Sequence, residues 1–324
     1  METSCILTKK QTAMRKLVFL LIWLTIIFND VSGQESEQYK SLFNGKDLTG
    51  WLMPGEVPGF EVQEGIIKAV PPNGSDLFTE DLYGNYKFKF DYYLSEVGNS
   101  GVLIRCDPTN PWETGVEIQL LAPWTPYRDD LHCTASLYGH VAVTNRPDET
   151  TNKWHTMEII CDRNLITVSV DGKMATHVDI DTVSSMDDKL LAGAVGFQSN
   201  HSKAGEFAYF RNIQIVDFDS DPEYVAEGFA NENERFRKQA LEASVNLGIS
   251  MIDELTALLE RKNTMVQAGA RQALFDIVAQ QTNPDSNMAD KQLLITHLKN
   301  NMSKISSKAS EDYLLWLAEL AQVN

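Results

Sequence analysis

Glu117 and Gln119 stand two residues apart in the stretch Gly115-Val116-Glu117-Ile118-Gln119-Leu120. In an extended chain alternate side chains share a face, so a carboxylate sits beside an amide while Val116, Ile118 and Leu120 turn the other way. Such a pair suits a sugar, whose hydroxyls need acceptors and donors together. Arg105 ends the stretch Gly101-Val102-Leu103-Ile104-Arg105 and is the cation expected to pair with Glu117 and hold it ionised. The same contact could equally serve only to brace a sheet. The chain has six histidines. His132 and His140 flank Tyr138, and His201 follows Gln198; each offers a general base near neutral pH, a metal ligand or a plain hydrogen-bonding group. No HxH or HExxH spacing favours the metal reading. Trp112, Trp124, Tyr127 and Tyr138 lie in or beside the loops around the Glu117 stretch. Their faces could pack on the C–H face of a sugar ring, or fill a core. A two-carboxylate glycosidase needs a second acid. Glu113 and Asp107 are the candidates, and their spacing from Glu117 fixes no pair.

The elements that must hold these residues read as strands. Tyr86-Lys87-Phe88-Lys89-Phe90-Asp91-Tyr92 alternates with period two, and so does Thr167-Val168-Ser169-Val170 before an Asp171-Gly172 turn. Ala194-Val195-Gly196-Phe197-Gln198 is a further strand, and Pro71 to Ser75 and Pro108 to Trp112 are loops. Many short strands with no intervening helix predict a sandwich or a barrel from Leu42 to about Asp217. After Phe218 the pattern changes. Ile252, Leu255, Leu258 and Leu259 make one helical stripe, and Val266, Ala270, Ala273, Leu274, Ile277 and Val278 make another. The two helices, joined by Lys262-Asn263-Thr264, resemble a single HEAT-type repeat, although one pair shows no period. This helical domain could be a packing element or a surface for a protein partner.

Composition narrows the classes. A hydrophobic content of 43% is that of a folded chain, and a net charge of −17 with no Lys/Arg cluster excludes a nucleic-acid partner. Arg15 and Lys16 precede an apolar run from Leu17 to Phe28, and Val31-Ser32-Gly33 offers small residues for cleavage. That is the anatomy of a secretory signal, in a run too short for a bilayer span of roughly 20 residues. The expected organisation is a signal at 1–33, a β-sandwich at 34–218 and a helical domain at 219–324, in an exported protein, periplasmic or extracellular. Cys106, Cys133 and Cys161 remain after the signal, an odd number that permits one disulfide at most. No cofactor is implied with certainty. A divalent cation is compatible with the acidity, but no Asp-x-Asp-x-Asp-Gly loop is present.

Leu42-Phe43-Asn44-Gly45-Lys46-Asp47-Leu48-Thr49-Gly50-Trp51 is similar to the opening of the 3-keto-disaccharide hydrolase domain family. Further matches follow in order: Asn99-Ser100-Gly101 with Arg105, Glu117-Ile118-Gln119-Leu120-Leu121, Ser136-Leu137-Tyr138, and Gly196-Phe197-Gln198 ahead of Phe210-Arg211-Asn212-Ile213. The resemblance covers roughly Leu42 to Ile215. It implies a mainly β, concanavalin A-like jelly-roll sandwich with a concave sugar-binding face. It also implies cleavage of the glycosidic bond of sugars oxidised at C3, by hydrolysis or by elimination. In that chemistry one base removes the acidified C2 proton and something stabilises the enolate. The resemblance assigns the base to Glu117 or His201, with Arg105 or a bound cation facing the enolate oxygen. Gln119, Gln198 and Tyr138 would orient hydroxyls, and Trp124 and His132 would contact the sugar. Two positions depart from the pattern: Ala122 stands where an acid is expected, and His201 falls one place late. The competing readings are a non-catalytic carbohydrate-binding module and an interaction protein.

Overall fold

Alternation decides the larger sheet. Strand β6 (Tyr86–Leu94) buries Tyr86, Phe88, Phe90, Tyr92 and Leu94 and turns the residues between them partly outward. β9 (Trp154–Asp162) and β10 (Leu165–Val170) follow the same rule. β10 reaches β11 (Lys173–Asp179) across Asp171 and Gly172, whose φ values of 50° and 73° are the left-handed backbone of a two-residue hairpin turn. With β13 (Ala208–Asp217), β4 (Ile66–Ala69) and β3 (Phe60–Gln63) the antiparallel order is β11-β10-β9-β6-β13-β4-β3, and β1 (Lys40–Ser41) also pairs with β13. The computed structural model describes residues 38–69, 74–126, 128–199, 205–283 and 286–323. The segment 1–33 read as a signal, residues 71–73 of the expected loop, Tyr127 and His201 lie outside the described residues.

The second sheet has the order β2 (Trp51–Leu52), β5 (Leu77–Thr79), β12 (Ala194–Phe197), β7 (Asn99–Cys106) and β8 (Val116–Leu121). Every residue of β7, β8 and β12 is buried, on the inner and the outer face alike, whereas Leu52 of β2 is exposed. The inner face packs on the larger sheet through an aromatic core in which Phe197 stacks on Phe210 at 4.0 Å. Val116, Ile118 and Leu120 belong to that core. Outside β8, the segment 133–141 runs along its edge: Gln119 N donates to Ser136 O, Ala135 N to Gln119 O and Tyr138 N to Glu117 O. The architecture is a concanavalin A-like sandwich of antiparallel sheets. Cys106, Cys133 and Cys161 are buried free thiols, and burial pushes Cys106 up to about 12.

A single helical turn, α1 (Pro111–Thr114), precedes β8. Among the described residues six helices follow the sandwich: α2 (Pro222–Gly228), α3 (Glu234–Leu247), α4 (Ile252–Leu258), α5 (Thr264–Gln281), α6 (Met288–Met302) and α7 (Lys308–Val323). Asp221, Asn233, Asn263 and Asn287 start four of them, each side chain accepting a backbone N–H of the first turn. Both apolar stripes expected between Ile252 and Val278 are buried in a second core with Leu294, Leu298, Leu314 and Leu317. The sandwich and the helices form one compact unit, Lys40–Asn324. Phe236 of α3 is buried in the sandwich core, and Gln239 Nε2 donates to Leu191 O at 2.7 Å. Among the described residues no helix is long and apolar enough to cross a membrane.

Candidate functional site

The outer face of the five-stranded sheet carries the polar residues that the sequence singles out. β7 and β8 pair Leu103 with Glu117 and Gly101 with Gln119, so Glu117 and Gln119 share that face. The Glu117 carboxyl folds back across Gly101, where a Cβ would overlap it. Glycine at 101 is therefore the floor that lets a glutamate lie flat on the sheet. On the other side of Gly101, Gln198 N donates to Gly101 O at 2.9 Å, and Ser100 Oγ donates to Gln198 O at 2.7 Å. The Glu117 carboxyl, over Gly101, thus lies between two buried glutamines on either side of β7: Gln119 on its own strand β8, and Gln198 just past the end of β12.

The electrostatics set Glu117 apart. It is 9% exposed, and among the described residues its Oε1 is buried with no hydrogen-bond partner. Burial, helped by the negative charge of Asp76, raises its pKa from the usual 4.5 to about 8. Asp76 is itself fixed where the loop before β5 meets the end of β12, its Oδ1 accepting Ser199 N at 2.8 Å. Sequence reading does not single out Asp76, which follows the Pro71–Ser75 loop; only the pairing of β5 with β12 brings it near the site. Gly101 was visible in the motif Asn99-Ser100-Gly101, but its reason was not.

Arg105 does not pair with Glu117, and the expectation that it holds Glu117 ionised is corrected. The pairing of β7 with β12 slips by one residue between Leu103 and Cys106, and Arg105 has φ 50°. This bulge resets the alternation. Cys106, rather than Arg105, joins Leu103, Phe78 and Ala194 in the apolar cluster of that sheet. The guanidinium instead donates to Gly84 O at 2.7 Å, to Arg163 O at 3.2 Å and to Asn85 Oδ1 at 3.3 Å.

The remaining residues divide. Tyr138, half-exposed, sits beside Glu117 through its backbone bond, and its ring meets His132 edge-on at 4.9 Å. His132 Nδ1 lies 2.7 Å from Asp129 Oδ1. His140 leaves this group for Ser185 Oγ, at 2.8 Å. Trp124 is 59% exposed beyond the end of β8. Glu113 and Asp107 supply no second acid for Glu117: Glu113 accepts from Asn110, and Asp107 accepts from the Thr109 amide and hydroxyl. Ala122, where an acid was expected, is buried and donates its N–H to Gly98 O.

For a cation, the described residues bring one group of ligand types together, Asp148, His155 and Asp171, with ligand atoms within 4.8 Å of one another. It lies on the eight-stranded sheet, away from Glu117. Asp148 already holds Lys153 at 2.7 Å, and His155 bonds Asp171 through Nδ1 and Thr150 O through Nε2, each at 2.8 Å. Lys153 already engages Asp148 and both ring nitrogens of His155 are already hydrogen-bonded, so this donor set does not fit a metal that serves the Glu117 face.

Residues 38–216 match the family model described as the 3-keto-alpha-glucoside-1,2-lyase-like domain. The chain belongs to that family. Membership in the lyase-like family makes the sandwich a carbohydrate-active domain. No curated protein matches the chain. Among solved structures, a Parabacteroides distasonis protein provisionally described as a glycosyl hydrolase is similar at 26% identity and a TM-score of 0.49, over 58% of this chain and 98% of that one. The Bacillus licheniformis beta-glucanase is similar at 15% identity and TM-score 0.38, over 57% and 99% of the two chains. The carbohydrate binding module CBM66 from Bacillus subtilis is similar at 11% identity and TM-score 0.38, over 52% and 96%. The lyase-like domain accounts for the strands up to β13 and leaves the six C-terminal helices outside the match.

Proposed function

We propose that the sandwich cleaves the glycosidic bond of sugars oxidised at C3, by β-elimination, with Glu117 as the group that moves the C2 proton. The observation that carries this reading is the Glu117 carboxyl itself: buried, unpartnered at Oε1, and held flat over Gly101 between Gln119 and Gln198. A carboxyl with pKa near 8 is about one-tenth ionised at pH 7 and half ionised near pH 8, and its ionised form binds the abstracted proton strongly, which suits general base work. The carboxylate takes the proton from C2 and the electron pair enters the C3 ketone as an enolate. The enolate then collapses to a C1=C2 bond while the C1–O bond breaks, and the departing oxygen takes a proton. Water can add to the product at C1, giving net hydrolysis.

The amides of Gln119 and Gln198, flanking Gly101 on this sheet, would orient hydroxyls or meet the enolate oxygen. Tyr138 and His132 form the edge-on aromatic wall beside them. Arg105 has no part in this mechanism, because its donors are committed elsewhere. His201 is the second candidate for the base. The segment 1–33, with Arg15 and Lys16 before an apolar run, supports export.

The test incubates the purified chain with a 3-keto-glucoside and follows release of the aglycone, for the parent, Glu117→Gln and His201→Ala. Release by the parent and its loss in Glu117→Gln are expected. Turnover intact in Glu117→Gln and lost in His201→Ala would transfer the base to His201. No release by the parent, with binding of an unoxidised glycan, would make the domain a binding module.

A further inference from the structure

We propose that the cavity at the β6–β7 turn is the subsite for the leaving group, and that it takes a second ring presenting an apolar face. The inference rests on the eliminative reading above. The cavity measures about 360 Å³ and is walled by Val97, Trp124 and Pro126, with Glu96 and Thr125 as its polar members. Trp124 and Val97 are 59% and 41% exposed. Single exposed apolar side chains are ordinary. Two of them converging on one cavity, with a carboxylate at its rim, have the make-up of a small-molecule pocket.

The strand ladder ties this cavity to Glu117. Leu103 faces Glu117, Gly101 faces Gln119 and Asn99 faces Leu121. The pair closes where Ala122 N donates to Gly98 O at 2.8 Å. Thr125 N then turns back to Ala122 O at 3.3 Å, which returns Trp124 to the corner held by Glu96 and Val97. From Glu117 to Leu121 the strand advances about 13 Å, at ~3.3 Å per residue. One pyranose over Glu117 and Gln119 covers only part of that length, whereas a ring linked to it extends toward the corner that holds Trp124. In a simple glycoside the part that extends past the oxidised ring is the C1 substituent, which elimination releases. An aromatic aglycone and the C–H face of a second sugar share the chemistry that an indole recognises. No bond is made or broken in this subsite. It holds the leaving group equally before and during the reaction, so its contribution falls on KM.

The test measures kcat and KM for a methyl, a phenyl and a glucosyl 3-keto-glucoside with the parent, Trp124→Ala and Trp124→Phe. Comparing each variant with the parent on the same substrate cancels the differing leaving abilities. We expect Trp124→Ala to lose about tenfold in kcat/KM on a ring-bearing substrate, through KM, and Trp124→Phe to recover most of it. The loss on the methyl glycoside should be about threefold or less. A loss on the phenyl substrate alone identifies an aromatic aglycone, and one on the glucosyl substrate alone a second sugar. Equal losses on all three, or none on either ring-bearing substrate, would overturn the subsite and leave the Glu117 reading standing. No turnover of any substrate by the parent would retire both. Trp124 stands mostly in solvent, and an unchanged melting temperature would separate loss of contact from loss of fold.

Discussion

Two buried ionisable side chains lie on neighbouring strands of the same sheet, and their surroundings differ in kind. Arg105 on β7 is 2% exposed and donates to two backbone carbonyls and an amide oxygen. Asn85, one of those partners, is held by Asp219 through its backbone N–H and its side chain, both at 2.8 Å. Asp219 stands just before α2, so the guanidinium is the hub of the seam between sandwich and helices. Arg163 extends the seam by stacking on Tyr224 at 4.3 Å, and Tyr224 OH donates to Asp162 Oδ1 at 2.6 Å. Glu117 on β8 is nearly as buried, yet its Oε1 has no partner among the described residues and its neighbour Asp76 repels its charge. A fold gains from the first arrangement and loses by the second. Burial alone does not mark a site; burial without compensation does.

Glu117→Gln breaks this comparison most sharply. Turnover of a 3-keto-glucoside should fall by about 10²–10⁴-fold. Stability should move the other way. The folded pKa is raised from 4.5 to about 8, so the protonated carboxyl's contribution is complete below about pH 4.5 and is lost as pH rises to about 8. Glutamine does not ionise. The variant should match the parent in urea at pH 4 and exceed it by about 2–4 kcal/mol at pH 8 and above. A variant less stable than the parent at pH 8 would mean that the carboxylate is compensated after all.

Arg105→Met should do the opposite. It takes the Arg105 donors from Gly84 O and Arg163 O, leaves Asn85 Oδ1 with the Arg163 N–H, and removes a buried cation from beside Asp219, a loss of about 3–5 kcal/mol in urea denaturation. Turnover per folded molecule should change little, because none of the three acceptors touches the Glu117 face. A proportionate loss of turnover in the folded fraction would return Arg105 to the site. Gly101→Ala comes next. Its Cβ would have to displace the Glu117 carboxyl, at a cost of about 1–3 kcal/mol of overpacking. Turnover should drop about tenfold or more, with the pH profile moving toward an ordinary carboxyl. An unshifted profile would show that the carboxyl keeps its place without the glycine.

The alternating stretches made the strands legible: Tyr86 to Tyr92 and Thr167 to Val170 do in the structure what a period of two requires. The same rule placed Glu117 and Gln119 together. It failed at Arg105 because a one-residue bulge leaves no mark in a pattern of residue types, and a positive φ at arginine has no signature comparable with glycine's. Asp76 was illegible for another reason. Its nearness to Glu117 depends on β5, β12, β7 and β8 lying side by side in an order that skips through the chain. The helical stripes were readable as helices, but nothing in their spacing foretold that Phe236 would enter the sandwich core.

The smallest effect sharpens the seam side of the comparison. Asp217, the last residue of β13, is raised to about 6 by burial and then by the charge of Asp219, although its own Oδ1 accepts the Asp219 N–H at 3.1 Å. Its folded pKa lies above the usual 3.8, so its contribution to stability is complete below about pH 4 and fades as pH rises through about 6. Asp217→Asn removes that titration and keeps an acceptor for the amide. Melting curves of parent and variant should coincide near pH 4 and separate modestly by pH 7, the variant melting higher. Partial exposure of Asp217 screens the effect, so it should be well below that of Glu117→Gln. If the curves stayed together at pH 7, the two carboxylates would not oppose each other, and the seam would be as well compensated at Asp217 as it is at Arg105.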